Sequence, residues 1–550
     1  MHKLFKTTLA LFLTCCLLCG ILPCGLSFAA SDPLQLMVAA DTHFQCAADL
    51  GAFSDDYTEH LLEPAVYGYA STQGQMPYES EAILAQMLTE FASSDAACLL
   101  IAGDLTCGKP QSHRAFAEHL RKAETATGKP VFVINGNHDC DAEDSDKGIS
   151  MQTFREIYAD FGYNEAISCH GDSASYAVDL NDTYRLLAID TCIYGEDEGR
   201  IGTSVFRWIK AQTRQASKDG KTLIAMMHHS ILPHYELQPM IDNWQFFASW
   251  FADHGIRTVL SGHIHANDIS STVSDRKNTL YDIQTGALIA SPNTWRLLTF
   301  LPDALRVESR FITQIDTALL PPMLTNRQKA LIKADFPSYA RAYFVSGVGK
   351  WLNRNVGSAD RLVRWFKLKE GTGAYTAAKE LTGVLGDAVG LDIYDTGKGK
   401  SIESVLRPYG ISVPQSAYQK PYEVAATLMY GLFHGDEATI SSRADTELLL
   451  VCLQGALLAA AQHMPTPKTL DALVTAVTGR ALSKQSLRKW SEQWALALLE
   501  TLAGGIVDDY SAPADLNVTL RWEPQANTVT VHPLLRLIRL LAEFFNRRFA

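Results

Sequence analysis

The sequence predicts an α/β domain followed by a mainly α-helical C-terminal region. Three observations carry that reading. From about residue 34, short apolar runs alternate with polar turns and helical stretches. Hairpin-like runs near residue 300 make the sheet mixed, not purely parallel. After "TQIDTALLPP" the texture changes, and residues 320–510 carry helical periodicity with few strand signals.

The strand-like runs are "LQLMVAAD", "ACLLIAGD", "PVFVING", "SYAVDL", "YRLLAID", "TLIAMMHH", "TVLSGH", "LYDIQT" and "ALRVESRFI". Each is short, apolar and rich in β-branched or aromatic residues, or bounded by turn residues. "SEAILAQMLTEFASS" and "TSVFRWIKAQTRQASK" read as helices between them. Further on, "TELLLVCLQGALLAAAQHM" is apolar but punctuated by Glu447, Gln454 and Gln462, so it reads as a buried helix and not a membrane span. "NVTLRW…NTVTVH" reads as a small hairpin. "PLLRLIRLLAEFFNRRFA" reads as an amphipathic helix whose Arg536, Arg539, Arg547 and Arg548 suit packing on its own domain or proximity to a membrane surface.

At 550 residues the chain is too long for one core. Apolar content of 47% and charged content of 20% describe a globular protein. A net charge of −12 argues against a nucleic-acid polymer as partner, and an anionic substrate would need local positive charge. The first 29 residues form a secretory signal: Lys3 and Lys6 precede an apolar run from Leu9 to Leu22, and Ser27-Phe28-Ala29 fits a cleavage site. A retained N-terminal anchor is the second reading of that run. Either places the protein outside the cytoplasm, secreted or associated with the envelope. The expected organisation is thus 1–29 signal, 30–313 α/β domain, 314–440 helical domain and 441–550 a further helical region with the hairpin. Of eleven cysteines, four lie in the signal; the other seven (Cys46, Cys98, Cys107, Cys140, Cys169, Cys192 and Cys452) show no C-x-x-C spacing and no disulfide framework.

Chemistry gathers at strand ends, where α/β sheets place it. "VAADTH" offers Asp41 and His43, "IAGDLT" Asp104, "INGNHD" Asn137, His138 and Asp139, "AMMHHS" His228 or His229, and "LSGHIH" His263 and His265. Residues two apart in extended chain point the same way, so His263 and His265 face one side and Ile264 the other. An acid at a strand end often caps a helix, and His-His can be core packing. Five such ends in succession argue for one shared site. Asp41, His43, Asp104, Asn137, one histidine of the 228/229 pair, His263 and His265 make seven ligands, enough for two divalent ions sharing a carboxylate. Mixed nitrogen and oxygen donors suit Mn, Fe or Zn, whereas Mg or Ca prefers oxygen alone. Two such ions polarise a phosphate ester and activate water for attack on it.

These motifs resemble the calcineurin-like metallophosphoesterase superfamily. "ADTHFQ", "GDLTCGKPQSH", "DFGYNEAIS", "AIDTCIYG" and "SGHIHANDI" look like its bacterial class III cyclic nucleotide phosphodiesterase-like group, whose members include exported proteins with a helical domain after the catalytic one. The resemblance is strong to residue 270 and loose to about 430. It implies a β-sandwich flanked by helices in four layers, αββα. By position it implies that Asp41, His43, Asp104 and His265 hold one ion and that Asp104, Asn137, His228 and His263 hold the other, with Asp104 bridging. "HHS" lacks the proline of the family's pattern, so His228 stands for the ligand by order alone. His138 resembles the histidine that contacts the phosphate and protonates the leaving oxygen, with Asp139 to orient it. Asn137 and His113 are further candidates for the phosphate. Cys107 occupies the position where purple acid phosphatases carry a tyrosine, which argues against that subgroup. Tyr194 and Arg200 are candidates for a base or leaving-group pocket or for packing, Tyr163 is first a packing residue and second a candidate for that pocket, and the insert from Gly51 to Tyr78 is a specificity loop or a surface excursion.

The activity implied is that of an exported dinuclear metal-dependent phosphoesterase, acting on a small phosphate ester and most readily on phosphodiesters such as cyclic nucleotides. A phosphomonoesterase, nucleotidase or cell-envelope phosphoesterase of the same chemistry is the alternative, because specificity lives in loops. A non-catalytic binding scaffold is the remote one, since neither His138 nor any of the seven ligands is missing.

Overall fold

The computed structural model describes residues 33–50, 74–234, 238–356, 390–397, 399–435 and 515–522, with short stretches at 370–371 and within 444–456. The expected signal, residues 51–73 of the insert and the expected C-terminal amphipathic helix lie outside the described residues. Two sheets face each other. One runs β13 (Asn517–Arg521), β12 (Ala304–Phe311), β11 (Thr294–Phe300), β1 (Leu34–Ala39), β2 (Cys98–Ala102), β3 (Val131–Ile134). The other runs β4 (Ser168–Cys169), β5 (Tyr176–Asp179), β6 (Tyr184–Ile189), β7 (Thr222–Met227), β8 (Ile256–Ser261), β10 (Thr279–Gln284), β9 (Asp268–Val273). Within the first sheet β1, β2 and β3 are parallel, and within the second β6, β7, β8 and β10 are parallel. The remaining pairs are antiparallel, so both sheets are mixed, as expected.

Alternation along the second sheet sorts its side chains onto two faces. Leu186, Ile224 and Leu260 join the core shared with Leu36, Leu100 and Val133 of the first sheet. Their neighbours Leu187, Ala225 and Val259 pack on the other face, with Val205 and Ile209 of helix α4 (Thr203–Asp219) and Phe247 and Phe251 of helix α5 (Trp244–Asp253). On the first sheet's side, α1 (Ser80–Ser93), α2 (Pro110–Thr127) and α3 (Met151–Ile157) add Leu84, Met87, Phe91, Phe116 and Phe154 to the main core. The layers are therefore helix, sheet, sheet, helix.

The described C-terminal part is mainly helical: α6 (Asn326–Ala334), α7 (Phe336–Val356), α8 (Ile402–Leu406) and α9 (Pro421–His434). No helix among the described residues is long and apolar enough to cross a membrane. In the apolar stretch near 450, Leu448, Leu449, Cys452 and Ala456 are buried. The sequence set residues 517–521 apart from the α/β domain, in a hairpin. The structure pairs them with β12 as that sheet's edge strand, Leu520 opposite Leu305. Also unread was β11, because Arg296 sits in its middle. That side chain is fully buried and donates to the carbonyls of Asp515 and Gln284, at 2.7 and 2.9 Å.

The loop after β7 is fixed by a buried ionic cluster. Asp282 accepts from the amides of Ile231 and Leu232 and from the Ser261 hydroxyl. His234 sits between Asp268 (2.6 Å) and Asp282 (3.4 Å). Burial opposes charge on His234, but the two carboxylates override it and raise its pKa from 6.5 to about 10. A raised folded pKa contributes stability that is present below 6.5 and fades as pH climbs through about 10. Thermal unfolding of wild type and His234→Gln across that window checks this: the gap between them narrows as pH rises, and a constant gap contradicts it.

Candidate metal centre

Parallel strands put their C-terminal ends on one edge, and the predicted ligands follow those ends directly. The ladder continues past them: Asp41 N donates to Gly103 O (3.1 Å), His43 N to Asp104 O (2.9 Å) and Gly262 N to His228 O (3.0 Å). Asp41, His43, Asp104, His263 and His265 all have positive φ, between 34° and 79°. Such backbone is rare for residues with a Cβ and costs about 1–3 kcal/mol each, so it persists where the surroundings hold it.

Asp104 is the centre of the arrangement. One oxygen, Oδ2, lies 3.4 Å from His43 Nε2 and 3.3 Å from His228 Nε2. The other, Oδ1, accepts from the His138 amide at 3.0 Å. His43 Nε2 is 3.3 Å from His265 Nε2, and His265 Nε2 is 3.7 Å from Asp41 Oδ1. Asn137 Oδ1 is 3.1 Å from His228 Nε2. The His263 ring lies 5.0 Å from that of His228, and its amide donates to both oxygens of Asp41. All seven predicted ligands are thus brought together. Two sets of donor atoms lie close enough to share an ion: Asp41, His43, His265 and Asp41, Asp104, His228.

The donors fit cations. A carbonyl only accepts, so His228 Nδ1 donates to Ala102 O (2.9 Å). Its Nε2 then faces two acceptor oxygens, of Asp104 and Asn137, an arrangement that calls for positive charge between them. Burial opposes a proton there, yet the Asp104 carboxylate lifts His228 to about 9. Burial holds His43 and His263 well below the ordinary histidine range and His265 down at about 3, leaving neutral imidazoles with lone pairs to offer. His263 Nε2 is buried with no hydrogen-bond partner among the described residues. A Cβ at Gly262 would stand 2.7 Å from Asp41 Oδ2, so the approach of the Gly-His-Ile-His turn to that carboxylate requires glycine.

Three of the candidate residues have structural partners. His113 is fully buried, and its ring nitrogens are taken by the Thr106 hydroxyl (2.9 Å) and the Tyr158 hydroxyl (2.8 Å); it anchors the Asp104 loop and does not face a phosphate. Asp139, expected to orient His138, accepts from the amides of Leu105, Thr106 and Gly136 and staples two loops together. Tyr163 donates to Ala174 O within the fold. His138 is half-buried, its ring 5.3 Å from that of His43. Tyr194 is exposed, and Arg200 lines an 830 Å³ cavity with Phe206 and Phe246. Cys46, Cys98, Cys107, Cys140, Cys169, Cys192 and Cys452 are free thiols. The sequence reading missed Thr191, whose hydroxyl meets His229 Nδ1 at 2.9 Å and fixes that ring against His263; the "AID" strand end beside it was the available signal.

Residues 34–267 match the family model described as calcineurin-like phosphoesterase. A probable cyclic nucleotide phosphodiesterase of Psychrobacter arcticus is 26% identical over 199 residues, 34% of this chain; the chain spans 63% of that protein's length. Solved structures similar to it include a dimetal phosphatase from Danio rerio (12% identity, 51% of this chain and 97% of that one, TM-score 0.38). A purple acid phosphatase from yellow lupin seeds is another (14%, 51% and 52%, TM-score 0.34). Over residues 34–267 the chain is thus similar to a calcineurin-like phosphoesterase domain.

The two histidines of the turn serve different neighbours, while Ile264 points into a small apolar cluster with Ala266. Metal analysis on His263→Ala and His265→Ala should each find one ion lost. Ile264→Ala should keep both ions and cost about 2 kcal/mol in unfolding experiments. Loss of metal from Ile264→Ala would contradict the assignment.

Proposed function

We propose that this protein is a metal-dependent phosphoesterase that hydrolyses small phosphodiesters, cyclic nucleotides among them, outside the cytoplasm. The observation that carries the reading is the single Asp104 oxygen shared between His43 and His228, with the other predicted ligands around it. Asp41, His43, Asp104 and His265 would hold one divalent cation and Asp104, Asn137, His228 and His263 a second, Mn, Fe or Zn by the donor set. Such ions supply Lewis acidity to the phosphate oxygens and to water.

The chain's own residues supply the rest. Buried Asp41 and Asp104 would repel a phosphate unless cations offset them, which makes substrate binding depend on loading. Asn137 stands beside His228 with its amide nitrogen available to a phosphate oxygen. His138, held by its amide on Asp104, donates a ring N–H proton to the leaving oxygen as the ester bond breaks. The match of residues 34–267 supports a phosphoesterase, and the name of the Psychrobacter relative supports the diester as substrate class. The secretory signal favours a second reading, in which the site takes envelope or scavenged phosphate esters, monoesters included.

Manganese-loaded protein should release nitrophenol from bis-p-nitrophenyl phosphate, and Asp104→Asn should abolish it. A panel of cyclic AMP, nucleoside monophosphates and glycerophosphodiesters separates the two readings. Inactivity of the loaded protein on every ester tried would sink both. His138→Ala should slow turnover of cyclic AMP, a poor leaving group, by about 10²–10⁴. It should slow the nitrophenyl ester far less, because nitrophenolate leaves without a proton. Equal losses on both would remove His138 from the acid role.

A further inference from the structure

We infer that the C-terminal region is a working part of the metal centre: Phe433 and Asp515 are positioning residues that clamp the strained segment 265–269 and hold His265 in ligand geometry. The inference rests on the metal-site reading above and adds residues more than 160 positions away in the chain, none of them within the family-model match.

The turn needs a clamp. His263 and His265 have φ of 79° and 62°, so the segment carrying them is not held by its own backbone preference. Helix α9 ends directly over it. The Phe433 ring meets the His265 ring edge-on, 6.2 Å between centroids and 84° between planes. Phe433 is itself seated on Phe344 of α7, at 4.9 Å. The last carbonyl of the helix, His434 O, accepts from Asn267 Nδ2, two residues past the ligand. The chain then turns at Gly435, φ 82°, where a Cβ would stand 2.5 Å from Asn267 O. Only glycine lets the helix end approach that closely.

A second segment reaches the same place from further along. Asp515 is buried and its Oδ1 accepts from the Ile269 amide at 2.8 Å. Its own carbonyl accepts from the buried Arg296 and from the Ser309 hydroxyl, and Ser309 also receives Asn267 Nδ2. The helix end and Asp515 thus converge on residues 265–269 from beyond the α/β sequence, meeting there Ser309 of β12. Groups that orient a metal ligand typically change metal affinity by about 10- to 100-fold when removed.

The test is cobalt binding to the full chain, read by absorption and by metal analysis. Wild type should take up two ions, and His265→Ala marks which one depends on that residue. Phe433→Ala and Asp515→Ala should weaken that same ion about 10- to 100-fold and leave the other unchanged. Asp515→Asn, which keeps an oxygen for the Ile269 amide, should restore it. If Phe433→Ala does not fold, Phe433→Leu, which keeps apolar volume and removes the ring edge, is read in its place. Wild-type affinity for both ions in these variants overturns the inference, as does equal weakening of both. If wild type binds no cobalt, the metal-site reading itself fails, a result distinct from either.

Discussion

A carboxylate with no water around it is costly, and Asp104 is fully buried. Everything near it answers that cost. His43 and His228 approach one oxygen and the His138 amide donates to the other. Against the burial that would raise its pKa, the positive charge on His228 holds Asp104 well below the usual carboxylate range. Asp41 is raised by burial and by the neighbouring Asp104 charge, which outweigh His228 and the His263 amide. The centre is therefore an electrostatic demand for cations set inside a packed sandwich. The sandwich supplies the rigidity that keeps the demand from relaxing.

That rigidity has a visible signature. The left-handed backbone at five of the ligand positions would relax in a free loop. Here neighbouring strand ends keep their ladders past the last regular residue, and side chains close the gaps. Thr42 Oγ1 donates to Leu105 O at 2.6 Å, and Asp139 ties the Asp104 loop to the Gly136 turn. Beneath them, Asp282 and His234 hold the loop that follows His228. Function at this edge is thus bought with order throughout both sheets.

Much of this was legible in the residues. Ligand candidates follow parallel strands at fixed offsets, and period-two spacing shows which histidines share a direction, so Asp41, His43, Asp104, Asn137, His263 and His265 stand out in the residues, while His228 and His229 do not separate. Features set by distant contacts were not legible. Arg296 hid a central strand because a charged residue reads as exposed until its carbonyl partners are known. His113 looked like a residue at a surface helix end, and only the fold reveals Thr106 and Tyr158 on either side of its ring. Asp139 sits beside His138 in sequence, but its hydrogen bonds go to backbone amides. Phe433 and Asp515 lie in stretches with no recognisable motif, and their meaning comes from what folds against them.

In the proposed centre, Asp104 would hold both ions in one cluster. Electron paramagnetic resonance on the fully manganese-loaded chain tests it most directly. A carboxylate shared by both ions would give the signature of a spin-coupled pair of manganese ions. A spectrum of isolated manganese alone, at full loading, would contradict it.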